Sequence, residues 1–403
     1  MPPDVPRGEA RVFRVVVALI FLDNVLFTLV VPALPRFADR YGLSDSLAAA
    51  IFLAFPLAQL VTSPFAGRAA DRLGRRPVMV GSVVLMLVAT VAFAAADGVA
   101  TLTIARALQG VAGCLIWTAG LAALSDTVPQ ERLGYRMALA ETLGGGAGLL
   151  GPVVGGPMID AFGTGWTFLA AAALPLVLLP LVAALPETRR PGTVTPPLFP
   201  AVRALVRQPG ARGGAIGLAV LAAVLALLEP LVPLHLDDRF GLSSTGVGLV
   251  FAAWFLAFFL VSPLAGRWSD RHGRRRPLLV GGLAGAALLP LVPLAPGPVP
   301  VALALAALGT ALAVMAAPTG PLLAEAVDRA GMGGNYGLSS SVMTLVFAAG
   351  YTLGPATASA ASAVTSFEVI TLASAAVVAV AVVAADRQLA RATGLVPTED
   401  TRG

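Results

Sequence analysis

The sequence predicts an all-helical membrane protein with twelve transmembrane helices in two six-helix bundles. Of its 403 residues, 57% are hydrophobic and only 12% are charged, and the mean hydropathy is +0.85. This composition excludes water-soluble, disordered and disulfide-framework proteins. The apolar segments are continuous runs of about 20 residues, the length of one bilayer crossing, and lack the alternating pattern of a membrane barrel.

The apolar runs come as six, then a break, then six more. We predict spans at 15–35, 46–66, 77–96, 99–124, 136–160, 166–186, 213–235, 245–266, 278–297, 299–324, 336–362 and 366–385. The break carries five arginines and several prolines, which is typical of a solvated linker. The predicted organisation is an N-terminal bundle at 1–186, a cytoplasmic linker at 187–212, a C-terminal bundle at 213–386 and a cytoplasmic tail at 387–403.

All 27 basic residues are arginines, and their distribution predicts the topology. Placing both termini in the cytoplasm puts 23 arginines on that side and three, Arg36, Arg40 and Arg239, on the other, with Arg106 inside a span. Such a bias is the positive-inside pattern of an inner-membrane protein. It accounts for the net charge of +5 without nucleic acid. The single cysteine, Cys114, lies in an apolar span, so neither an intramolecular disulfide nor a thiolate metal site is expected.

The two halves of the chain are related in sequence. The segment SPFAGRAADRLGRR at 63–76 recurs as SPLAGRWSDRHGRR at 262–275, displaced by 199 residues, and RYGLS at 40–44 recurs as RFGLS at 239–243 with the same displacement. A repeat of this kind indicates two bundles related by an axis along the membrane normal.

We predict a gating role for the charged residues of the two loop segments. Their aspartates are suited to capping a helix N-terminus, and their arginines to binding carboxylates or anionic lipid. Positive-inside topology alone is the alternative for the arginines, but it does not explain the aspartates. The residues concerned are Asp71, Arg72, Arg75, Asp270, Arg271 and Arg274.

The loop signature and its second copy, together with RALQG at 106–110 and GLLGPVVGG at 148–156, resemble the major facilitator superfamily and its drug:proton antiporter branch. The segments LDN at 22–24, EPLVP at 229–233 and GYTLGP at 350–355 are similar to the vesicular monoamine transporters. The resemblance implies a substrate site between two six-helix bundles and protons as the coupling ion. It also implies export of a drug or an amine.

Two acids inside predicted spans are the candidates for exchange chemistry. An ionised side chain in the bilayer costs about 2.5–3.5 kcal/mol, so intramembrane acids need a reason to be there. Asp23 and Glu229 each fall in the first span of a half. A carboxylate in the cavity binds a proton or an organic cation, and charge balance disfavours both at once. For Glu229 the alternative is a buried acid that stabilises the helix beside Pro230.

Arg106 and Glu141 are two further charged residues inside predicted spans. Arg106 cannot carry protons, but its fixed charge would couple to the protonation of a neighbouring carboxylate. Alternatively it snorkels to the membrane interface. Glu141 is equally compatible with a further proton site and with a pair to Arg136.

The resemblance also implies contacts to the substrate and a seal. The resemblance implies substrate contacts at Asn24 and at three aromatic positions, Phe52, Phe258 and Tyr351. Aromatic rings at such positions attract an organic cation. The alternative for each ring is packing or lipid contact. Gly151 and Pro152 predict a kinked, closely packed span 5 with a gating role. The resemblance associates this motif with antiporters rather than symporters.

The predicted function is a proton-coupled antiporter that exports a cationic or amphipathic organic compound. Protons and membrane lipids are the other expected partners, and the chain is expected to act as a monomer. We expect no cofactor, metal, nucleic acid or enzymatic activity, because no Walker A loop, zinc spacing, nucleophile elbow or dinucleotide fingerprint is present. Two alternatives stay open: a proton-coupled uptake symporter for a small solute, and a transport-inactive membrane sensor or membrane-embedded enzyme.

Overall fold

The computed structural model describes residues 7–189, 207–327, 329 and 336–392. Among these residues the regular elements are helices. The described part of the first half contains seven α-helices and one 3₁₀ turn, Gly146–Leu149. The helices are α1 (Arg7–Tyr41), α2 (Asp45–Leu73), α3 (Arg75–Ala94), α4 (Val99–Thr127), α5 (Gln130–Gly145), α6 (Leu150–Ala171) and α7 (Ala173–Ala183).

The second half follows the same order of long helices. Its described elements are α8 (Pro209–Phe240), α9 (Ser244–His272), α10 (Arg275–Leu288), α11 (Leu291–Leu294), α12 (Pro298–Ala316), α13 (Thr319–Val327), α14 (Tyr336–Ser362) and α15 (Phe367–Ala392). Predicted linker residues 190–206 and tail residues 393–403 lie outside the described part of the chain.

Ten helical segments of the described chain are long and apolar enough to cross a membrane. One of them, 131–183, has 53 residues and covers two predicted spans. Gly163 interrupts it, with φ +78° and ψ 168°, a conformation open to glycine and strained for other residues. The predicted eleventh span coincides with α14, which lies outside the ten segments.

The chain divides into two compact units. The first comprises 1–195 together with 241–249, and the second comprises 196–240 and 250–403. The short segment 241–249 therefore belongs to the first unit, although the sequence repeat places it in the second half.

In the first unit α1 packs against α4, α5 and α6. Small residues permit the close approach, because a side chain on Gly151 or Gly155 would collide with Thr28 or Leu29 of α1. In the second unit α8 packs against α13, α14 and α15. There Gly354 of α14 meets the backbone of α8. Each unit thus has its first long helix packed against several others.

Candidate functional site

A buried acid lies in the middle of α1. Asp23 is 4% exposed, and its Oδ2 accepts a hydrogen bond of 3.0 Å from the indole N–H of Trp117 on α4. Its Oδ1 is buried and has no hydrogen-bond partner among the described residues. Gly113 of α4 makes room for this oxygen, since a Cβ there would lie 2.7 Å from it. One face of α4 therefore forms a cradle for the carboxylate.

Arg106 lies on the same face of α4, about three helical turns before Trp117. Its side chain is 0% exposed, which does not fit the snorkelling alternative. Its Nη1 donates to the Gln109 side-chain oxygen at 2.8 Å and to the Phe27 carbonyl at 3.2 Å. The guanidinium is thus held inside the first unit.

Three phenylalanine rings surround this guanidinium. Its central carbon lies 4.3 Å from the ring centre of Phe52, 4.8 Å from that of Phe27 and 5.4 Å from that of Phe55. Each such contact contributes about 0.5–2 kcal/mol when desolvated. The structure therefore places Phe52, a predicted substrate contact, against Arg106.

Asn24 directs its side chain to its own helix. Its Nδ2 donates to the Ile20 carbonyl at 2.9 Å, and Thr28 donates to the Asn24 carbonyl at 2.8 Å. Gly151, from the predicted gating motif, packs onto Thr28, and the adjacent Pro152 is buried. The predicted close packing of span 5 is thus made against the helix that carries Asp23.

The other predicted substrate residues lie in the second unit. Glu229 is 4% exposed on α8 and directly precedes Pro230. Tyr351 is buried on α14 with its ring stacked on Phe347, at 5.3 Å between centres. Phe258 is half-buried on α9, edge-on to Phe259.

Glu141 is exposed on α5, and Arg136 is directed to another acid. The Arg136 Nε lies 3.7 Å from Glu9 Oε1, and the Arg132 Nη2 lies 3.5 Å from Glu9 Oε2. Glu9 itself is buried at the start of α1. This cluster joins the beginning of α1 to α5.

The first loop segment forms a buried charge cluster. Arg75 donates to Asp71 at 2.6 Å and to Asp126 at 3.0 Å. Both acids lie within the first unit, on α2 and α4. Arg72 is exposed, and its carbonyl accepts a hydrogen bond from Arg189 at 3.1 Å.

Glu187 caps the N-terminus of α3. Its carboxylate accepts the backbone N–H groups of Arg75, at 2.8 Å, and Arg76, at 3.2 Å. Partial burial alone would raise the pKa of Glu187, but hydrogen bonds from the N–H groups of Arg189, Arg75 and Arg76 outweigh it and hold the pKa below its usual value. The helix cap at this loop is thus made by Glu187, while Asp71 pairs with Arg75.

The second loop segment is built similarly but is more open. Arg274 lies 2.7 Å from Glu325 and 3.9 Å from Asp270. Arg275 pairs with Asp386 through its Nη2 at 2.8 Å. Arg271 is exposed. All of these residues belong to the second unit.

Asp160 caps the first turn of α9. It accepts the backbone N–H groups of Ser244, at 3.1 Å, and Thr245, at 2.8 Å, and the Thr245 hydroxyl at 2.6 Å. Arg36 lies 3.3 Å from the same carboxylate. These contacts explain why 241–249 belongs to the first unit.

Sequence reasoning missed the partners of the predicted residues. Trp117 and Gly113 follow Arg106 by 11 and 7 residues, which places all three on one face of a helix. This spacing could have predicted that they line the same site. Asp126 and Glu325 are displaced by 199 residues, as are Glu187 and Asp386, so the repeat itself pointed to both pairs. Among the described residues, no group of three or more His, Cys, Asp or Glu side chains is arranged to hold a metal ion.

Several apolar helices enclose a buried acid and a buried arginine. This arrangement is typical of a multi-pass membrane protein with functional ionisable residues inside the membrane. The family model described as Major Facilitator Superfamily matches residues 16–228 and 214–397. The chain belongs to this superfamily and is a membrane transporter, which confirms the family resemblance.

Characterised relatives are transporters. The chain is 27% identical over 301 residues to the multidrug resistance protein MdtG of Salmonella arizonae, covering 72% of this chain and 74% of the relative. It is 28% identical over 286 residues to a probable vesicular acetylcholine transporter-B of Danio rerio, covering 66% of this chain and 57% of the relative. The fungal MFS-type transporter ppzB of Metarhizium majus is 27% identical, over 64% of this chain and 69% of the relative.

Solved structures share the fold. A bacterial homolog of the human lysosomal transporter Spinster, inward-facing and unoccupied, superposes with a TM-score of 0.75 at 15% identity, covering 96% of this chain and 99% of that one. The human organic anion transporter MFSD10 gives a TM-score of 0.69 at 18% identity, covering 96% and 100%. The relatives and these neighbours are transporters, not enzymes.

Proposed function

We propose that the chain crosses the inner membrane twelve times with both termini in the cytoplasm. A continuous helix of 53 residues would extend about 80 Å, far beyond one bilayer, so 131–183 supplies two crossings separated at Gly163. Helix α14 has 27 residues and supplies another. The arginine distribution supports the orientation.

We propose that this transporter exports a cationic or amphipathic organic compound in exchange for protons, without a further cofactor. The observation that carries the proposal is Asp23, a nearly inaccessible carboxylate on a membrane helix with one oxygen unpartnered among the described residues. Such a group binds a proton or a cation, each excluding the other. The names of the relatives, a multidrug resistance protein and an acetylcholine transporter, agree with this substrate class.

Arg106 and Glu229 complete the exchange machinery in this proposal. The guanidinium of Arg106 lies on the same helix face as the Asp23 cradle and keeps its charge under all conditions. It therefore biases Asp23 toward losing its proton when the substrate arrives. Glu229 is the second exchanging acid. The loop clusters around Arg75 and Arg274 hold the resting state by ion pairs that break and reform during transport.

The test uses the full-length protein in liposomes with an acidic interior. A permanently charged dye such as ethidium is added outside, so that trapping of a neutral base does not contribute. Wild type should accumulate the dye, and Asp23→Asn should lower accumulation to that of protein-free liposomes. Asp39→Asn, an exposed acid on the same helix, is the matched control and should transport normally.

Three results would contradict the proposal. Accumulation by Asp23→Asn at the wild-type rate would show that Asp23 is not the exchanging acid. Accumulation that is independent of the proton gradient would show that transport is not coupled to protons. Dye uptake only when the interior is alkaline would establish symport instead of antiport.

A further inference from the structure

The Asp23 carboxylate is held asymmetrically. Its Oδ2 accepts the Trp117 indole N–H, while its Oδ1 is buried without a hydrogen-bond partner in the described chain. Both neighbours come from α4, and Gly113 leaves space for Oδ1 because it has no side chain. The two oxygens of one carboxylate therefore offer different opportunities to a ligand.

We infer that Trp117 is a specificity-determining residue that reserves Oδ1 as the atom for an organic cation, so that the site favours a cation with a single N–H donor, such as a tertiary ammonium, over a guanidinium. This inference rests on the proposed role of Asp23 in cation binding. A guanidinium binds a carboxylate best through two parallel N–H bonds, one to each oxygen. At Asp23 the second bond would have to share Oδ2 with the indole.

The same arrangement explains why Trp117 and Gly113 occur together. Trp117 positions the carboxylate, because a bond to an ionised acceptor fixes its rotation. Gly113 leaves the remaining oxygen the space that it occupies, without a side chain against it. A side chain at 113 would instead place a methyl group 2.7 Å from Oδ1 and displace the acid.

The experiment measures equilibrium binding to the purified full-length protein in detergent. The probes are benzyldimethylammonium and benzylguanidinium, which share the benzyl group and the charge but differ in N–H donors. Wild type should bind the tertiary ammonium more tightly. In Trp117→Phe the freed Oδ2 should improve guanidinium binding relative to ammonium binding by about tenfold, which corresponds to about 1.4 kcal/mol for one charge-assisted hydrogen bond.

Trp166→Phe is the matched control, since Trp166 is 70% exposed, and its ratio of dissociation constants should equal that of wild type. Gly113→Ala provides a second test if Trp117→Phe fails to fold, and it should weaken both probes with Trp117 in place. An unchanged ratio in Trp117→Phe, or equal losses for both probes, would overturn the inference. The ethidium assay with wild type and Asp23→Asn judges the proposed function separately, because it measures proton-driven uptake and not the ratio of the two dissociation constants.

Discussion

The two halves of the molecule agree at their loops and differ at their centres. At the loops Asp71, Arg75, Asp126 and Glu187 are each matched 199 residues later by an identical or chemically similar residue. At the centre Arg106 is matched by Leu305, which is fully buried. The loop clusters are thus a duplicated device, whereas the central arginine is replaced by leucine at the equivalent position of the second unit.

The difference at the centre extends to the surrounding side chains. The positions of Phe27 and Gln109 are occupied by Ala226 and Leu308 in the second unit, and that of Phe55 by Trp254. Trp254 is buried and lies parallel to Phe255, at 5.7 Å between ring centres. A caged guanidinium in one unit therefore corresponds to apolar packing in the other, and the proposed proton coupling is expected to depend on the first.

Arg106→Leu copies the second unit into the first and has the largest expected effect. The protein should fold, since leucine suits a pocket of three phenylalanine rings and removes a charge that is costly in the membrane. Proton-driven ethidium uptake in liposomes should fall to the level of protein-free liposomes, because the fixed positive charge on the helix face that cradles Asp23 is lost. Arg40→Leu, which removes an exposed arginine, should retain uptake.

Retained proton-driven uptake in Arg106→Leu would show that the charge is structural. The centres of the two units would then differ only in how they are packed.

The loop clusters are compared through Arg75→Gln and Arg274→Gln. The Arg75 side chain is 6% exposed and pairs with two acids, whereas that of Arg274 is 29% exposed. Removing one partner of a buried pair costs about 3 kcal/mol or more, and a solvent-exposed pair contributes at most about 1 kcal/mol. The unfolding temperature in detergent should therefore drop much further for Arg75→Gln than for Arg274→Gln. Equal drops would mean that the two clusters are energetically equivalent despite their different burial.

Both units contain a close helix crossing at a glycine, and replacing that glycine by alanine should cause a loss of stability of intermediate size. Gly110 packs against the Phe55 carbonyl, and Gly309 packs against Trp254, with 2.6 Å to Cδ1 and 2.8 Å to the carbonyl oxygen for an added Cβ. Overpacking of this kind costs about 1–3 kcal/mol. Gly110→Ala and Gly309→Ala should both lower the unfolding temperature, Gly110→Ala by more, because the added Cβ meets the facing carbonyl oxygen more closely at Gly110 than at Gly309.

Gly81→Ala is the control for this crossing. A side chain there meets nothing within 4 Å, so stability should be unchanged or slightly higher. Destabilisation by Gly81→Ala equal to that by Gly110→Ala would indicate that glycine is needed for backbone reasons instead of close packing.

Most helices were predictable from the sequence because apolar runs report membrane crossings directly. Their ends were less so. Helix α1 begins at Arg7 and ends at Tyr41, beyond the predicted 15–35 on both sides, since a helix satisfies its own backbone and continues past the apolar region. The two predicted spans within 131–183 form one nearly continuous helical stretch, because only Gly163 has non-helical dihedral angles inside α6.

The charged residues of the site could be predicted from the sequence, but their aromatic partners could not. Asp23 and Arg106 are conspicuous because ionised groups are rare inside membrane spans. Trp117 reads as an ordinary aromatic residue, and only the rotation of α4 about its axis directs its N–H to the acid. The Phe52 ring was predicted for the substrate because sequence cannot show that a guanidinium already occupies its face.

The smallest expected effect is the pH dependence of the Glu187 cap. Because the folded-state pKa of Glu187 lies below its ordinary value of 4.5, its stabilisation is fully present above about pH 4.5. It is lost as the pH falls through the lower folded-state value. Glu187→Gln should lower the free energy of unfolding by about 0.5–1 kcal/mol at pH 7, the usual size of a helix cap. The gap from wild type should close on acidification.

Asp39→Asn makes the same acid-to-amide change at an exposed position away from any helix N-terminus and should show no such loss at any of the pH values measured. The measurement is thermal unfolding in detergent at pH 7, 5, 4, 3 and 2. A gap for Glu187→Gln that stays constant over this range would mean that the amide loses packing or shape and not the charge that faces the α3 N–H groups. In the second unit Asp386 binds the Arg275 side chain instead of a helix N-terminus, so Asp386→Asn should resemble the loss of an ion pair and should be sensitive to salt.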